Sequence, residues 1–506
     1  MDLLSTIDGF SESTGRIAHV YREGLLGYRE LRQQSDALAA YLLAEYDGDR
    51  SPVVVYGQKQ HEMIVSFLGC VKAGHAYIPI DSYQPYERVK DIIDNSGAQI
   101  MLNIGNLDCS GSQITVINKG RYDEVIRDCR GKEPDQRYRV KKEDNFYILY
   151  TSGSTGKPKG VQITLSCLEG FLEWALKIVG AEEGKIFLNQ CSYSFDVSMM
   201  VVYFSLLTGS KLFSIDREMI GNMHELFEYF KSSGINKWIS TPSFVEMCIA
   251  DSHFNKELLP DLRLFLFAGE ILPTECVKKL YERFGDVRIV NAYGPTEATI
   301  LVTAIDIDRE MSEKKEPLPL GYAMDNCLIS IVDDNGRLLP DGEKGEVVIT
   351  GDTVSPGYIN NEEMTARVFS RVSVNGALHR SYRTGDAGYL KDGVLYYYGR
   401  KDTQIKISGY RIEIEDIENN LRKLDLIENA VVLPITADGR VRYLAAVVLL
   451  NHRLEEREFK IGLLIKDQLK AWLPEYMIPR KVVIRDSFPM TVNGKIDRKK
   501  LAEELK

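Results

Sequence analysis

The chain has 506 residues, more than one hydrophobic core supports, so at least two domains are expected. Its 44% apolar and 27% charged residues are those of a globular protein, and a net charge of −10 argues against nucleic acid or an anionic membrane surface as partner, since both select a basic footprint. No basic stretch followed by a long apolar run opens the sequence. The eight cysteines and seven histidines are scattered without a C-x-x-C pair or zinc spacing, so a cytoplasmic protein with free thiols is expected.

In chain order, "PVVVYG" (52–57) reads as a strand and "EMIVSFLGCVKAG" (62–74) as the helix after it. "FYILY" (146–150) is a second strand, followed by a glycine-rich stretch and then by helical spacing over "TLSCLEGFLEWALKIV" (164–179). "RLFLFAGE" (263–270) and "VRIVNAYG" (287–294) are further strand-to-loop units. Repeated βα units predict parallel sheets covered by helices. From about residue 327 the pattern changes: "LISIVDDNGRLLP" carries a hairpin signal at Asn335-Gly336, "GEVVITG" follows it, and the region reads as a β-rich subdomain.

Beyond "YYYGRKDTQIKISGYRIE" (396–413) the spacing predicts a helix near 413–423, a strand pair around Asp438-Gly439, and a helix near 455–472 before a basic tail. "YLAAVVLL" (443–450) is too short to span a bilayer and reads as a buried strand, so no membrane insertion is expected. The fold class is therefore α/β. A large N-terminal domain, 1–400, is built of two βα-type sheets and a β-rich subdomain; a small α+β C-terminal domain, 401–506, follows a boundary at Lys401–Asp402.

"YTSGSTGKPKG" (150–160) raises the first chemical question. Backbone amides of a glycine-rich turn converge on anions; Ser152, Ser154 and Thr155 add hydroxyls, and Lys157 and Lys159 add charge. A strand before the loop and a helix after it fit a phosphate site at the carboxyl end of a sheet. The Walker A pattern fails, because Gly156-Lys157 is followed by Pro158 where Ser or Thr is needed. Taken alone, the stretch favours a phosphate loop only slightly over a surface turn.

Four further stretches follow it in order: "NAYGPTEAT" (291–299), "YRTGDAGYL" (382–390), "GRKDTQIKISGYRIE" (399–413) and "NGKIDRKKL" (493–501). Together with "VKAGHAYIPID" (71–81) and "LGYREL" (26–31), they resemble the core motifs of the adenylate-forming superfamily, which contains amino-acid adenylation domains, acyl-CoA synthetases and luciferases. The resemblance runs the whole chain. "KIFLNQCSYSFDVS" (185–198), "STPSFVEMC" (240–248) and "LPEYMIPRKVV" (473–483) are similar to the branch that activates D-alanine with ATP and loads it onto a carrier's phosphopantetheine thiol for teichoic and lipoteichoic acid esterification.

The resemblance implies ATP and Mg²⁺. Thr151, Ser152, Gly153, Ser154, Thr155, Gly156 and Lys157 then hold the leaving pyrophosphate. Asn291, Ala292, Tyr293, Gly294, Pro295 and Thr296 surround adenine and the α-phosphate, with Tyr397, Tyr398, Gly399 and Arg400 completing the nucleotide site. Asp386 accepts from the ribose hydroxyls, although an Asp in an ordinary turn looks the same locally. Glu297 is the implied Mg²⁺ ligand; the competing reading is an acid favoured by a helix N-terminus.

Lys495 is the implied catalytic residue, bridging the attacking carboxylate and the α-phosphate. Its alternative is one more solvated lysine beside Arg498, Lys499 and Lys500. Asp196, in "FDVS", is implied to bind the substrate's α-ammonium, and can also be read as the cap of a helix over "VSMMVVYFSLL". Ala268 and Ile300, with Met200 and Leu301, line the acyl pocket. Some D-alanine-activating members carry a cysteine at the Ala268 position, so this pocket is relaxed there. Asp402 matches the hinge about which a mobile C-terminal domain rotates between adenylation and thioester formation. The sequence stops soon after "NGKIDRKKL", so the carrier is expected to act in trans.

Overall fold

The computed structural model describes all residues except 47, 110–112, 154–155, 315–316, 408, 438–439, 453–455, 491–495 and 506. The chain divides into two compact units: Met1–Ser82, Ser96–Leu149 and Gly160–Lys401 form the larger, and Tyr83–Asn95, Tyr150–Lys159 and Asp402–Lys506 the smaller.

Among the described residues, the larger unit carries a nine-stranded and a six-stranded sheet and a five-stranded antiparallel one. The expected βα units are there: Val53–Gly57 leads into the helix His61–Lys72, and Asn145–Thr151 precedes the helix Leu165–Val179. In the nine-stranded sheet, Ile17–Tyr21, Lys211–Ser214, Ile186–Asn189, Lys237–Ser240, Leu264–Phe267 and Arg288–Tyr293 run parallel. The sheet is not parallel throughout, because Thr303–Asp306 pairs antiparallel with Arg288–Tyr293. The link between those two strands is too short for the crossover of a dozen or more residues that a parallel return needs.

Both faces of this sheet are covered, which explains runs such as "LFLF". Leu264 and Leu266 enter one core with the helices His61–Lys72 and Asp196–Leu207, whereas Phe265 and Phe267 enter another around Trp238 and the helices Met223–Lys231, Pro242–Ile249 and Thr274–Phe284. Alternation at period two sends neighbouring apolar residues to opposite cores. The helix Asp196–Leu207 is apolar all round because it packs in one core with strands of both large sheets. Lys72, wholly buried in the helix His61–Lys72, is neutralised by Asp8 and Asp36, each at 2.7 Å.

The β-rich region forms as expected. Cys327–Val332 pairs antiparallel with Gly345–Gly351, and Asp333–Arg337 turn through Gly336 at φ 78°. In the smaller unit, Ile427–Ala437, Arg440–Leu450 and Lys481–Ile484 form a three-stranded sheet, packed with the helices Ile414–Arg422 and Glu458–Leu469. The "YLAAVVLL" segment is a strand of that sheet, and among the described residues no helix is long and apolar enough to cross a membrane.

Candidate active site

The strands Leu264–Phe267 and Arg288–Tyr293 lie side by side, with Phe267 opposite Asn291, so the segments "AGE" and "NAYGPTEAT" emerge together at their carboxyl ends. Open α/β sheets bind ligands at such ends. Asn291 is buried. Its Nδ2 donates to Pro319 O at 2.7 Å, while its Oδ1 has no hydrogen-bond partner among the described residues. Ala292 pairs with Ala304. Gly294 is required by close approach: a Cβ there would lie 2.4 Å from Leu301 Cα and 2.5 Å from Ile300 O. After Pro295 the chain makes a single 3-10 turn, Thr296–Ala298, then passes through the left-handed region at Thr299 (φ 63°) and Ile300 (φ 72°). Two β-branched residues in that region store about 1–3 kcal/mol of strain each. The Thr299 hydroxyl, donating to Thr353 O at 2.6 Å, helps hold the conformation.

Asp386 lies within the long strand Ala377–Lys391, which removes the reading of an ordinary turn. It is buried. Tyr293 donates its hydroxyl to Oδ2 at 2.6 Å, and Arg400 donates from Nη1 to Oδ1 at 2.8 Å. Burial, and then the neighbouring Asp386, push the Tyr293 phenol well above its usual range, so it stays protonated and donates. Tyr293, Asp386 and Arg400, widely separated in the chain, thus form one group. Tyr397 packs against the core, and Gly399 takes φ 148° opposite Ala387. Tyr398 is the bulged residue of that strand, 61% exposed, with Lys344 Nζ 3.6 Å from its ring centre; its side chain stands outside the Asp386 group.

Asp196 is the first residue of its helix, and Phe195 holds the capping position. The cap reading therefore fails in its strict form. Asp196 Oδ1 accepts from its neighbour's amide, Val197 N, at 2.7 Å, and Oδ2 accepts from the Thr296 hydroxyl at 2.6 Å. Met200, Ala268, Ile300 and Leu301 are buried in the same core as Val197 and Ala292. Glu297 is fully buried, and its Oε1 accepts from the Tyr358 hydroxyl at 2.7 Å. A three-residue 3-10 turn has almost no macrodipole, so the helix-terminus account of Glu297 is weak. Among the described residues no three His, Cys, Asp or Glu side chains gather into a cage. A hard carboxylate such as that of Glu297 fits Mg²⁺, which is commonly held by one or two protein carboxylates plus substrate phosphates.

The glycine-rich loop differs from expectation. A strand, Lys159–Thr164, follows it, and the helix begins only at Leu165, where Thr164 Oγ1 accepts from Cys167 N. Among the described residues no helix begins directly after this loop. Gly156 takes φ 80° and closes a turn onto Gly153 O; a Cβ on Gly153 would lie 2.2 Å from Lys157 O. Within the smaller unit, Ser152 donates to Arg411 O at 2.9 Å and accepts from Glu413 N at 3.1 Å. Thr151 Oγ1 is buried with no partner among the described residues, and Lys157 is exposed. Ser154, Thr155 and Lys495 lie outside the described residues. Asp402 is exposed at the first position of its segment, where Oδ1 accepts from Gln404 N at 3.1 Å.

A buried polar network went unread in the sequence. Lys59, 4% exposed, donates to Asn189 Oδ1 at 2.9 Å and to Cys191 O, and sits 4.0 Å from the Tyr193 ring centre. Asn189 donates to Tyr193 and Ser214, and Ser214 meets His19 Nε2 at 2.7 Å. Lys59 therefore pins the segment that leads into Asp196. Its only sequence signal is a lysine just past an apolar strand. Burial lowers its ammonium from 10.5 to about 7. Between these values the unfolded chain holds the extra proton, so stability rises with pH, by at most about 1.4 kcal/mol per unit; below about pH 7 both states hold the proton and the slope vanishes. Urea unfolding from pH 7 to 9.5 is expected to show this slope reduced in Lys59→Met, and parallel curves for the two proteins would contradict it.

Comparisons with known proteins identify the class of enzyme to which these features belong. Residues 10–359 match the AMP-binding enzyme model and residues 416–495 the AMP-binding enzyme C-terminal domain, so the chain belongs to the AMP-binding enzyme family. It is 45% identical over 506 residues, 100% of both chains, to a D-alanine--D-alanyl carrier protein ligase of Bacillus cereus. In fold it is similar to o-succinylbenzoate CoA synthetase from Bacillus subtilis, with TM-score 0.84, 20% identity, and 99% and 98% of the two chains covered. An adenylation domain from Vibrio cholerae in complex with glycyl-adenosine-5'-phosphate gives TM-score 0.80 and 20% identity over 99% and 96% of the two chains.

Proposed function

We propose that this enzyme activates D-alanine with ATP to D-alanyl-AMP and pyrophosphate, then transfers the D-alanyl group to the phosphopantetheine thiol of a separate D-alanyl carrier protein. In the first half-reaction a carboxylate oxygen bonds to the α-phosphorus as the bond to pyrophosphate breaks. In the second the thiol sulfur bonds to the acyl carbon and AMP leaves. The loaded carrier feeds D-alanylation of teichoic and lipoteichoic acid from the cytoplasm.

The observation that carries this reading is the Thr296–Asp196 pair. A carboxylate anchored by the nucleotide motif gives the substrate ammonium a partner. An acyl-CoA ligase has no ammonium to offer an acid at this position. Asp386, oriented by Tyr293 and Arg400, accepts from the ribose, and the orphan acceptor of Asn291 suits a donor on the adenine. The loop 151–157 grips the departing pyrophosphate. Glu297 holds Mg²⁺, which when bound neutralises phosphate charge. Lys495 stabilises the charge that builds on the equatorial oxygens. Asp402 is the hinge.

ATP–pyrophosphate exchange with D-alanine, L-alanine, glycine, L-serine and acetate tests the reading. Exchange is expected fastest with D-alanine. Glycine, one methyl smaller, should be discriminated by only about 1–3 kcal/mol. Fastest exchange with acetate, or no exchange with any of the five, overturns the proposal.

A further inference from the structure

Glu297 sits on a turn of three residues whose own hydrogen bonds cannot fix the direction of a side chain. Its carboxylate nonetheless meets a hydrogen-bond donor from far along the chain. Tyr358, 61 residues later and 4% exposed, donates its hydroxyl to Glu297 Oε1 at 2.7 Å. The tyrosine is itself held on several sides. Its backbone N–H donates to Thr365 Oγ1 at 3.0 Å, and Ile359 N donates to Gly160 O at 2.9 Å. Its ring meets Phe369 edge-on at 5.5 Å and 76°. Gly357 precedes it at φ 134°, where a Cβ would lie 2.4 Å from Thr365 Cγ2. The same segment also grips the turn's backbone: Ser355 N donates to Glu297 O at 2.9 Å, and Thr353 O accepts from Thr299 Oγ1 at 2.6 Å.

We infer that Tyr358 is a positioning residue for the metal site: its hydroxyl, fixed by the 353–359 segment, sets the orientation in which the Glu297 carboxylate meets a divalent cation. The chemistry suits that task. A phenol donates a hydrogen bond without carrying a charge, so it orients the carboxylate and leaves its negative charge for the cation. A lysine or arginine in the same place would orient it and cancel that charge. Groups that hydrogen-bond a metal-ligating carboxylate commonly affect metal affinity by 10–100-fold. The inference rests on the reading of Glu297 as the Mg²⁺ ligand.

The test is Mn²⁺ binding, followed by electron paramagnetic resonance in the full-length protein with a non-hydrolysable ATP analogue present. Tyr358→Phe keeps the ring and removes only the hydroxyl. Its Mn²⁺ dissociation constant is expected to rise about 10–100-fold, while the analogue's affinity at saturating Mn²⁺ stays within twofold. A merely structural hydroxyl would lower the melting temperature and leave the Mn²⁺ constant unchanged, and that result overturns the inference. Glu297→Gln separates the two levels. If it leaves Mn²⁺ binding intact, the ligand reading itself is wrong; if it abolishes binding while Tyr358→Phe binds normally, only the positioning role is wrong. Should Tyr358→Phe fail to fold, Thr365→Val loosens the tyrosine's backbone anchor and leaves both side chains in place. It is expected to weaken Mn²⁺ about threefold or more, and an unchanged constant there also overturns the inference.

Discussion

Replacing Lys495 by alanine is expected to cut ATP–pyrophosphate exchange by about 10²–10³-fold, the scale seen when one donor to a transition-state charge is removed. The affinity for ATP should change only a few-fold, because the loop 151–157 and the Asp386 group bear the nucleotide's contacts in the proposed site. The loss should be confined to the first half-reaction. Supplied with preformed D-alanyl-AMP and the carrier, the variant is expected to form thioester at close to the normal rate, since the proposed rotation about Asp402 takes Lys495 away from the site for that step. Normal exchange by the variant would remove Lys495 from catalysis. Equal loss in both half-reactions would point instead to a defect in folding or in domain movement.

Asp196→Asn has the second-largest expected effect. The amide oxygen can keep the Val197 N–H, and the new NH2 can donate to the Thr296 hydroxyl, which turns from donor to acceptor, so the local structure should survive. It loses the charge for the substrate's ammonium. A hydrogen bond to a charged group contributes about 1.5–3 kcal/mol, so KM for D-alanine should rise roughly 10- to 150-fold with KM for ATP unchanged. If Asp196 serves only the helix, an acid in the first turn matters by no more than about 1 kcal/mol of stability and D-alanine binding stays normal. Steady-state exchange at varied D-alanine distinguishes the two.

These expectations draw unequally on what the chain reveals locally. The strands and helices of the βα units were legible because burial on one or both faces imposes a period of two or 3.6 on the residues themselves. The hairpin at Asn335-Gly336 was legible because its turn needs a positive φ that glycine supplies. The strand Lys159–Thr164 was missed: "KGVQIT" is short, begins in the glycine-rich punctuation of the loop, and runs directly into a helix. The antiparallel return at Thr303–Asp306 was missed as well, since direction follows from the length and path of a connection and not from the strand's own residues.

The site divides in the same way. The residue types and their order, from "YTSGSTGKPKG" to "NGKIDRKKL", belong to the sequence and were enough to state the chemistry. What each side chain touches was decided only on folding. Asp386 is fixed by Tyr293, 93 residues away; Asp196 by Thr296, 100 away; Glu297 by Tyr358, 61 away; and Lys59 reaches Cys191, 132 away. A hydrogen bond across such a separation leaves no periodic trace, because its partners meet only when elements distant in the chain pack together. The sequence by itself determined which groups this enzyme possesses, and the tertiary structure decided which of them are oriented, neutralised or left with an unfilled acceptor.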